Sequence, residues 1–164
     1  MSQEIGHEDI DHVRVNRKSI RHIRLTMSPL FKKLNLGGHT AVHILNAPRS
    51  FESEVAKLQT VLVRRSLSPQ DRVAFAIAFA ITQAELDAES RKLVKAAEGD
   101  AILWIAYPKG TSRKYKCEFN RDSGWSALKA AGYESVRQVA IDEDWSALRF
   151  RKAEFVKGKS TAKS

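Results

Sequence analysis

Two apolar stretches of strand length, separated by one capped helix, constrain this chain more than any other feature. The first is Val73-Ala74-Phe75-Ala76-Ile77-Ala78-Phe79-Ala80-Ile81. It is apolar on both strand faces, the pattern of a strand inside a sheet. Its alanines would also suit a helix, but Thr82 and Glu85 form a T-x-x-E capping box. The box places a helix start after the run and leaves the run itself as a strand. The spacing then predicts a helix over Gln83 to Glu98, with Leu86, Leu93, Val94 and Ala97 on one face and Gly99 as its stop. The second stretch, Ala101-Ile102-Leu103-Trp104-Ile105-Ala106-Tyr107, follows at once and ends at Pro108. Strand, helix and strand in such close order predict a parallel crossover unit.

The remaining elements extend this unit in both directions. Phe31, Leu34 and Leu36 open the domain, and Gly37-Gly38 precedes a strand from Thr40 to Asn46 that Ala47-Pro48 closes. Ser50 is read as the cap of a helix with Glu52 and Glu54 in its first turn. Thr60 to Arg65 alternates as a second strand, and Ser66 to Asp71 is a loop. Beyond Pro108, Asp122 or Ser123 is expected to cap a short helix from Trp125 to Ala131, ended by Gly132. Val136 to Ile141 and Ser146 to Lys152 are expected to form strands joined by Asp142-Glu143-Asp144. Charges at Arg149 and Arg151 suggest that the last strand lies at an exposed edge. The fold class is therefore α/β. The expected form is a single three-layer domain with a mostly parallel sheet of five to six strands, helices on both faces and an antiparallel C-terminal hairpin. The repeated Trp-Ser-Ala-Leu at residues 125 and 145 is read once as helix and once as strand, hence as coincidence.

Domain boundaries follow from composition. Residues 1–26 mix both charge signs, carry His7, His12 and His22 at spacings of no compact metal pair, and read as a mobile extension. Met27-Ser28-Pro29 reads like a natural start, residues 27–152 are the α/β domain, and residues 153–164 form a basic tail. The chain has 164 residues, 43% of them hydrophobic, which suits one domain with a proper core. One cysteine, Cys117, excludes an internal disulfide framework and fits a reducing cytoplasm. No apolar stretch reaches the roughly 18 residues that cross a bilayer, so a soluble cytoplasmic protein without membrane contact is expected.

Charge is unevenly placed. The formal net charge is +9. Five Lys or Arg residues against Glu118 give +4 between Tyr107 and Arg121, and six against Glu154 give +5 from Arg149 onward. Such concentration favours an anionic small molecule, an acidic partner or a nucleic acid over uniform solvation.

Three segments carry a resemblance: Leu45-Asn46-Ala47-Pro48, Leu103 to Lys109, and Asp144-Trp145-Ser146-Ala147-Leu148-Arg149-Phe150. With them, residues 27–152 resemble a small bacterial family catalogued as domain of unknown function three thousand fifty-two. The resemblance implies one compact bacterial domain and carries no established activity or catalytic residue.

The chemistry of particular residues narrows the function. Gly37-Gly38 precedes the first strand, whereas a dinucleotide site needs glycines after it, and Pro48 lacks an amide donor. Gly110-Thr111-Ser112 has no earlier glycine at P-loop spacing, so no nucleotide cofactor is expected. Asp142-Glu143-Asp144 reads as a turn and not a metal site. The three tryptophans read as core. The loop after Pro108 is the best site. Lys109, Gly110, Thr111, Ser112, Arg113, Lys114 and Lys116 offer charge, hydroxyls and backbone freedom at the carboxyl end of a strand, with Asn46 across the crevice. The expectation is a non-catalytic module that binds an anion through residues 109–116. Its alternatives are a nucleic-acid-associated protein using loop and tail, or an enzyme with Cys117 activated by neighbouring cations.

Overall fold

The crossover unit sits at the centre of the computed structural model, which describes residues 28–156. Expectations for residues 1–27 and 157–164 lie outside the described residues. Strand β3 (Val73–Phe79) leads into helix α3 (Gln83–Ala96) and then strand β4 (Ala97–Pro108). The capping box forms as read. Thr82 Oγ1 accepts from Glu85 N at 3.1 Å, and Glu85 Oε1 accepts from Ile81 N at 2.8 Å and Thr82 N at 3.1 Å. Those amides hold the Glu85 carboxyl below its ordinary pKa. Gly99 is not the helix stop. The chain turns extended at Ala97, and Gly99 sits within β4 at φ 59°. There the pairing with β3 jumps from Val73↔Ala97 to Phe75↔Ile102, so the glycine serves a bulge in the strand.

Strands β1 (Ala41–Leu45), β2 (Leu62–Arg64), β5 (Tyr133–Ala140) and β6 (Trp145–Lys152) complete a six-stranded sheet of order β2-β1-β3-β4-β6-β5. The pairs β1–β2, β1–β3 and β3–β4 are parallel, and β6 is antiparallel to both of its neighbours. The expected edge position of the last strand is thus wrong. β6 folds back inside, between β4 and β5, and its Trp145 to Leu148 are buried on both faces. Strand β5 is the edge, exposed from Ser135 to Gln138 and bulged between Ser135 and Arg137.

The described residues form a single α/β domain with two cores. One packs α3 and the short helix α4 (Ser126–Ala130) against Leu103, Ile105, Tyr107, Leu148 and Phe150. The other packs helices α1 (Pro29–Lys33) and α2 (Glu52–Val55) against Val42, Ile44, Phe75, Ile77, Trp104 and Ala106. Alternate residues of β4 thus feed opposite cores. Ser28 caps α1 through Leu30 N and Phe31 N, and its hydroxyl donates to Glu54 Oε1 at 2.7 Å. Ser50 caps nothing, because a 3-10 turn, Arg49–Phe51, precedes α2. Asp122 and Ser123 do not cap α4. Their amides donate to Asn120 Oδ1 in a turn, and Trp125 takes the cap position. Ala153–Phe155, expected as tail, is a 3-10 turn held by the bond from Ala153 N to Gly132 O. Among the described residues no helix is long and apolar enough to cross a membrane.

His43 yields a pH prediction. It is buried in β1, and its Nε2 lies 3.8 Å from Asp71 Oδ2, too far for a hydrogen bond. Burial lowers its pKa, Asp71 opposes that, and Arg64 adds to it. With the folded value below 6.5, the unfolded chain takes the proton first as pH falls. The stabilising contribution is therefore whole above pH 6.5 and lost as pH falls through the folded pKa. Urea denaturation between neutral pH and the acid side of that window should show wild-type stability falling with pH, and a shallower fall in His43→Gln. Identical slopes would refute the assignment.

Candidate functional site

The sheet order dictates where to look. The chain leaves β1 toward β2 on one side, then returns to β3 on the other. Loops therefore part company at the carboxyl ends of β1 and β3, the switch point at which open α/β sheets hold ligands. At the β1 exit Asn46 adopts φ 59°, and its Nδ2 lies 3.5 Å from Phe79 O. At the β3 exit Ala80 N donates to Ala106 O at 2.9 Å, and the α3 cap follows. Between the two exits lies a cavity of about 290 Å3 lined by Asn46, Pro48, Arg49, Phe79, Ala80, Ile81, Glu85, Tyr115 and Trp145. An aromatic chain from the core ends there. Ring centroids are 4.9 Å apart for Phe51–Phe79, 5.2 Å for Phe79–Trp145 and 5.0 Å for Trp145–Tyr115.

The segment after Pro108 is fastened at both ends over the sheet. Near its start Lys109 N donates to Asp144 O and Ser112 Oγ donates to Asp144 Oδ1, both at 2.8 Å. Ser112 Oγ in turn accepts from Lys114 N and Tyr115 N. Asp142 Oδ1 takes the amides of Asp144 and Trp145, so the three acids build the β5–β6 turn, as the sequence suggested. Further along, Glu118 N donates to Ile81 O, and Glu118 Oε1 accepts from Gln83 N at 2.9 Å. Gln83 Nε2 reaches Gly124 O at 2.8 Å.

Beside this segment opens a second cavity of about 1090 Å3. Lys109, Gly110, Ser112, Arg113, Lys114 and Lys116 line it, Thr111 does not, and Asn46 lines the smaller cavity instead. Tyr115 is common to both. Ser112 is tied into the loop by its bond to Asp144, which turns an expected ligand donor into an anchor.

Sequence reading missed several lining residues. Tyr107 was absorbed into the apolar run, and Gln138 and Ser146 lie on strands that pair only in three dimensions. Gln138 Nε2 donates to Tyr107 Oη at 3.1 Å and to Ser146 Oγ at 3.0 Å. Burial pushes the Tyr107 phenol pKa up. Burial likewise raises the Cys117 thiol, with the charge of Glu118 adding to it. Both shifts favour the protonated form at neutral pH, against the cation-activated thiolate that the enzyme alternative requires. His43 and His39 give Cys117 no base: they face Asp71 and Phe75, toward the amino end of β3, while Cys117 lies beside its carboxyl end.

No family model matches the chain, and no curated protein matches it. Solved structures do. The N-methyltransferase NodS from Bradyrhizobium japonicum WM9 aligns over 84% of this chain and 96% of its own, at 11% identity and a TM-score of 0.48. A SAM dependent methyltransferase from Aquifex aeolicus aligns over 80% of this chain and 97% of its own, at 12% identity and a TM-score of 0.47. The glycopeptide N-methyltransferase MtfA aligns over 74% of this chain and 92% of its own, at 6% identity and a TM-score of 0.47. All three are named as methyltransferases, which corrects the expectation of a non-catalytic module holding an anion through residues 109–116.

Whether a nucleotide-type cofactor suits this sheet can be judged from the residues present. A nucleotide-type cofactor on a doubly wound sheet uses glycine-rich backbone after the first strand and an acid near the end of the second. Here Asn46-Ala47-Pro48-Arg49 follows β1, and Pro48 has no N–H to offer. After β2 stands Arg65, whose guanidinium holds both oxygens of Glu52 at 2.8 and 2.7 Å. The residues do not fit that cofactor.

Proposed function

We propose that this chain acts on a small organic molecule held in the crevice at the carboxyl ends of β1, β3 and β4. The observation that supports it most is the coincidence of a walled cavity with the topological switch point. The reading takes the domain as a three-layer unit with its helix sets on opposite faces, in keeping with the division of the two cores. It needs no nucleotide cradle on the β2 side, where Arg65 and Glu52 pair with each other at the surface. In the adjoining larger cavity, Tyr107 and Cys117 are protonated at neutral pH and act as hydrogen-bond donors and not as nucleophiles.

A fragment screen by saturation-transfer NMR tests this. Ile81 is half-buried and lines the cavity, so Ile81→Trp fills the crevice from its wall. Fragments that bind wild-type should lose about tenfold or more in affinity for a folded Ile81→Trp variant, the equivalent of about 1.4 kcal/mol. Equal binding to both proteins, or no binding to either, would refute the site.

A further inference from the structure

We infer that the switch-point cavity selects a zwitterion of the amino-acid class, with the ligand's carboxylate on Arg49 and its ammonium group on Glu85. The inference rests on the site proposed above and names its ligand class. Its starting point is the charge that borders the cavity. Among the described residues Arg49 and Glu85 are its only charged lining residues, and they carry opposite signs. Both are exposed. Elsewhere on the surface opposite charges close on each other, as Arg65 does on Glu52 and Arg151 on Asp100. Arg49 and Glu85 do not, and among the described residues neither forms an ion pair. The cations from Lys109 to Arg121 border the larger cavity and not this one.

The fold sets the two charges at adjacent strand exits. β1 and β3 are parallel neighbours, and paired strands run about 4.8 Å apart, so one small ligand reaches the residues that follow both. Arg49 opens the 3-10 turn after β1, which is pinned by the bond from Phe51 N to Pro48 O at 2.9 Å and by the burial of Phe51. Glu85 stands in the first turn of the helix after β3. Its Oε1 accepts from the amides of Ile81 and Thr82, which fixes the carboxyl beside Ile81, a wall of the cavity. Those amides hold its pKa below the ordinary carboxylate value, so it is ionised at neutral pH. Its Oε2 makes no hydrogen bond among the described residues, which leaves an acceptor for an ammonium group. The Arg49 guanidinium is a planar fork that matches a carboxylate. A ligand with charge of one sign would satisfy one residue and be repelled by the other, whereas a zwitterion pairs with both. Pro48, Ile81 and the half-buried Tyr115 supply an apolar wall for its side chain. A volume of about 290 Å3 admits one ring with its charged groups and excludes much larger ligands.

The test titrates the full chain by saturation-transfer NMR at neutral pH with phenylalanine as the probe. Phenethylamine, which lacks the carboxylate, and hydrocinnamate, which lacks the ammonium group, are its counterparts. Phenylalanine should bind about tenfold more tightly than either, the low end for a hydrogen bond to a charged group. Arg49→Gln should erase its advantage over phenethylamine. Glu85→Gln keeps an acceptor for the capping amides but removes the charge, so it should erase the advantage over hydrocinnamate without loss of helix by circular dichroism. The wild-type ranking decides by itself where a variant does not fold. Equal affinity for the three probes, or an advantage that survives its substitution, overturns the inference and leaves the site standing where Ile81→Trp still abolishes fragment binding. Binding of uncharged fragments but of none of the three probes does the same. Binding of no fragment of any kind removes the site, and the inference with it.

Discussion

Replacing Trp104 with alanine should lower folding stability by about 3–5 kcal/mol, the range for truncating a large buried aromatic. Trp104 is fully buried in the middle of β4, paired in register with Ile77 of β3 and Arg149 of β6. Its ring belongs to the core that receives α1 and α2, and its indole N–H holds the carbonyl of Leu34, seventy positions earlier. Truncation therefore opens a cavity between sheet and helices and strands a buried carbonyl. Trp104→Phe separates the two effects. It keeps most of the packing but leaves Leu34 O unpaired, which should cost about 1–3 kcal/mol. Against a typical domain stability of about 5–15 kcal/mol, the alanine variant should stand near the limit of folding. Urea denaturation followed by far-UV circular dichroism measures both. A loss below about 1 kcal/mol for Trp104→Ala would mean that the core closes over the gap, contrary to the tight packing described.

The parts of this fold that were legible in the sequence are those written in local patterns. The apolar runs and the Thr82–Glu85 box carry their own geometry, because cap, helix and strand are set by residues within a few positions of each other. The burial of Trp104, Trp125 and Trp145 followed from the same patterns. The order of the last two strands was not legible. Arg149 and Arg151 look like edge residues, but Arg151 is paired to Asp100 across 51 positions and β6 lies inside the sheet. The charge pattern records polarity and not which side of the hairpin meets β4.

The loop singled out in the sequence and the crevice proposed above both lie at the carboxyl ends of the strands, but the sequence shows conspicuous cations there and not the residues that shape the crevice. Ser112 and Glu118 are spent fastening the loop to Asp144 and Gln83, contacts of 32 and 35 positions that composition does not reveal. The anchors of the buried indoles are equally hidden: only the assembled fold shows that Leu34 O and Asn120 O accept from Trp104 and Trp125.

Gly124 is where that loop is most sensitive to a small change. Its φ is +100°, and a Cβ placed there would lie 2.6 Å from Phe119 Cβ and 2.9 Å from Gln83 Oε1. Neither neighbour yields easily. Phe119 is buried with its ring 5.3 Å from Trp125 and 5.8 Å from Tyr107, and the Gln83 amide is held by Gly124 O and Asp87 Oδ1. Gly124→Ala should therefore cost about 1–2 kcal/mol for the left-handed backbone and about 1–3 kcal/mol more for the overlap. Gly132→Ala supplies the control, since Gly132 has φ +88° but no atom within 4 Å of the added methyl. It should show the backbone cost alone. Denaturation of the two variants side by side isolates the steric part. A larger loss at Gly124 would place Phe119 and Gln83 in a rigid frame, the frame that carries Tyr115 to the switch-point cavity. Equal losses would mean that Phe119 and Gln83 give way, and that the segment from Lys109 to Gly124 adjusts its position over the sheet.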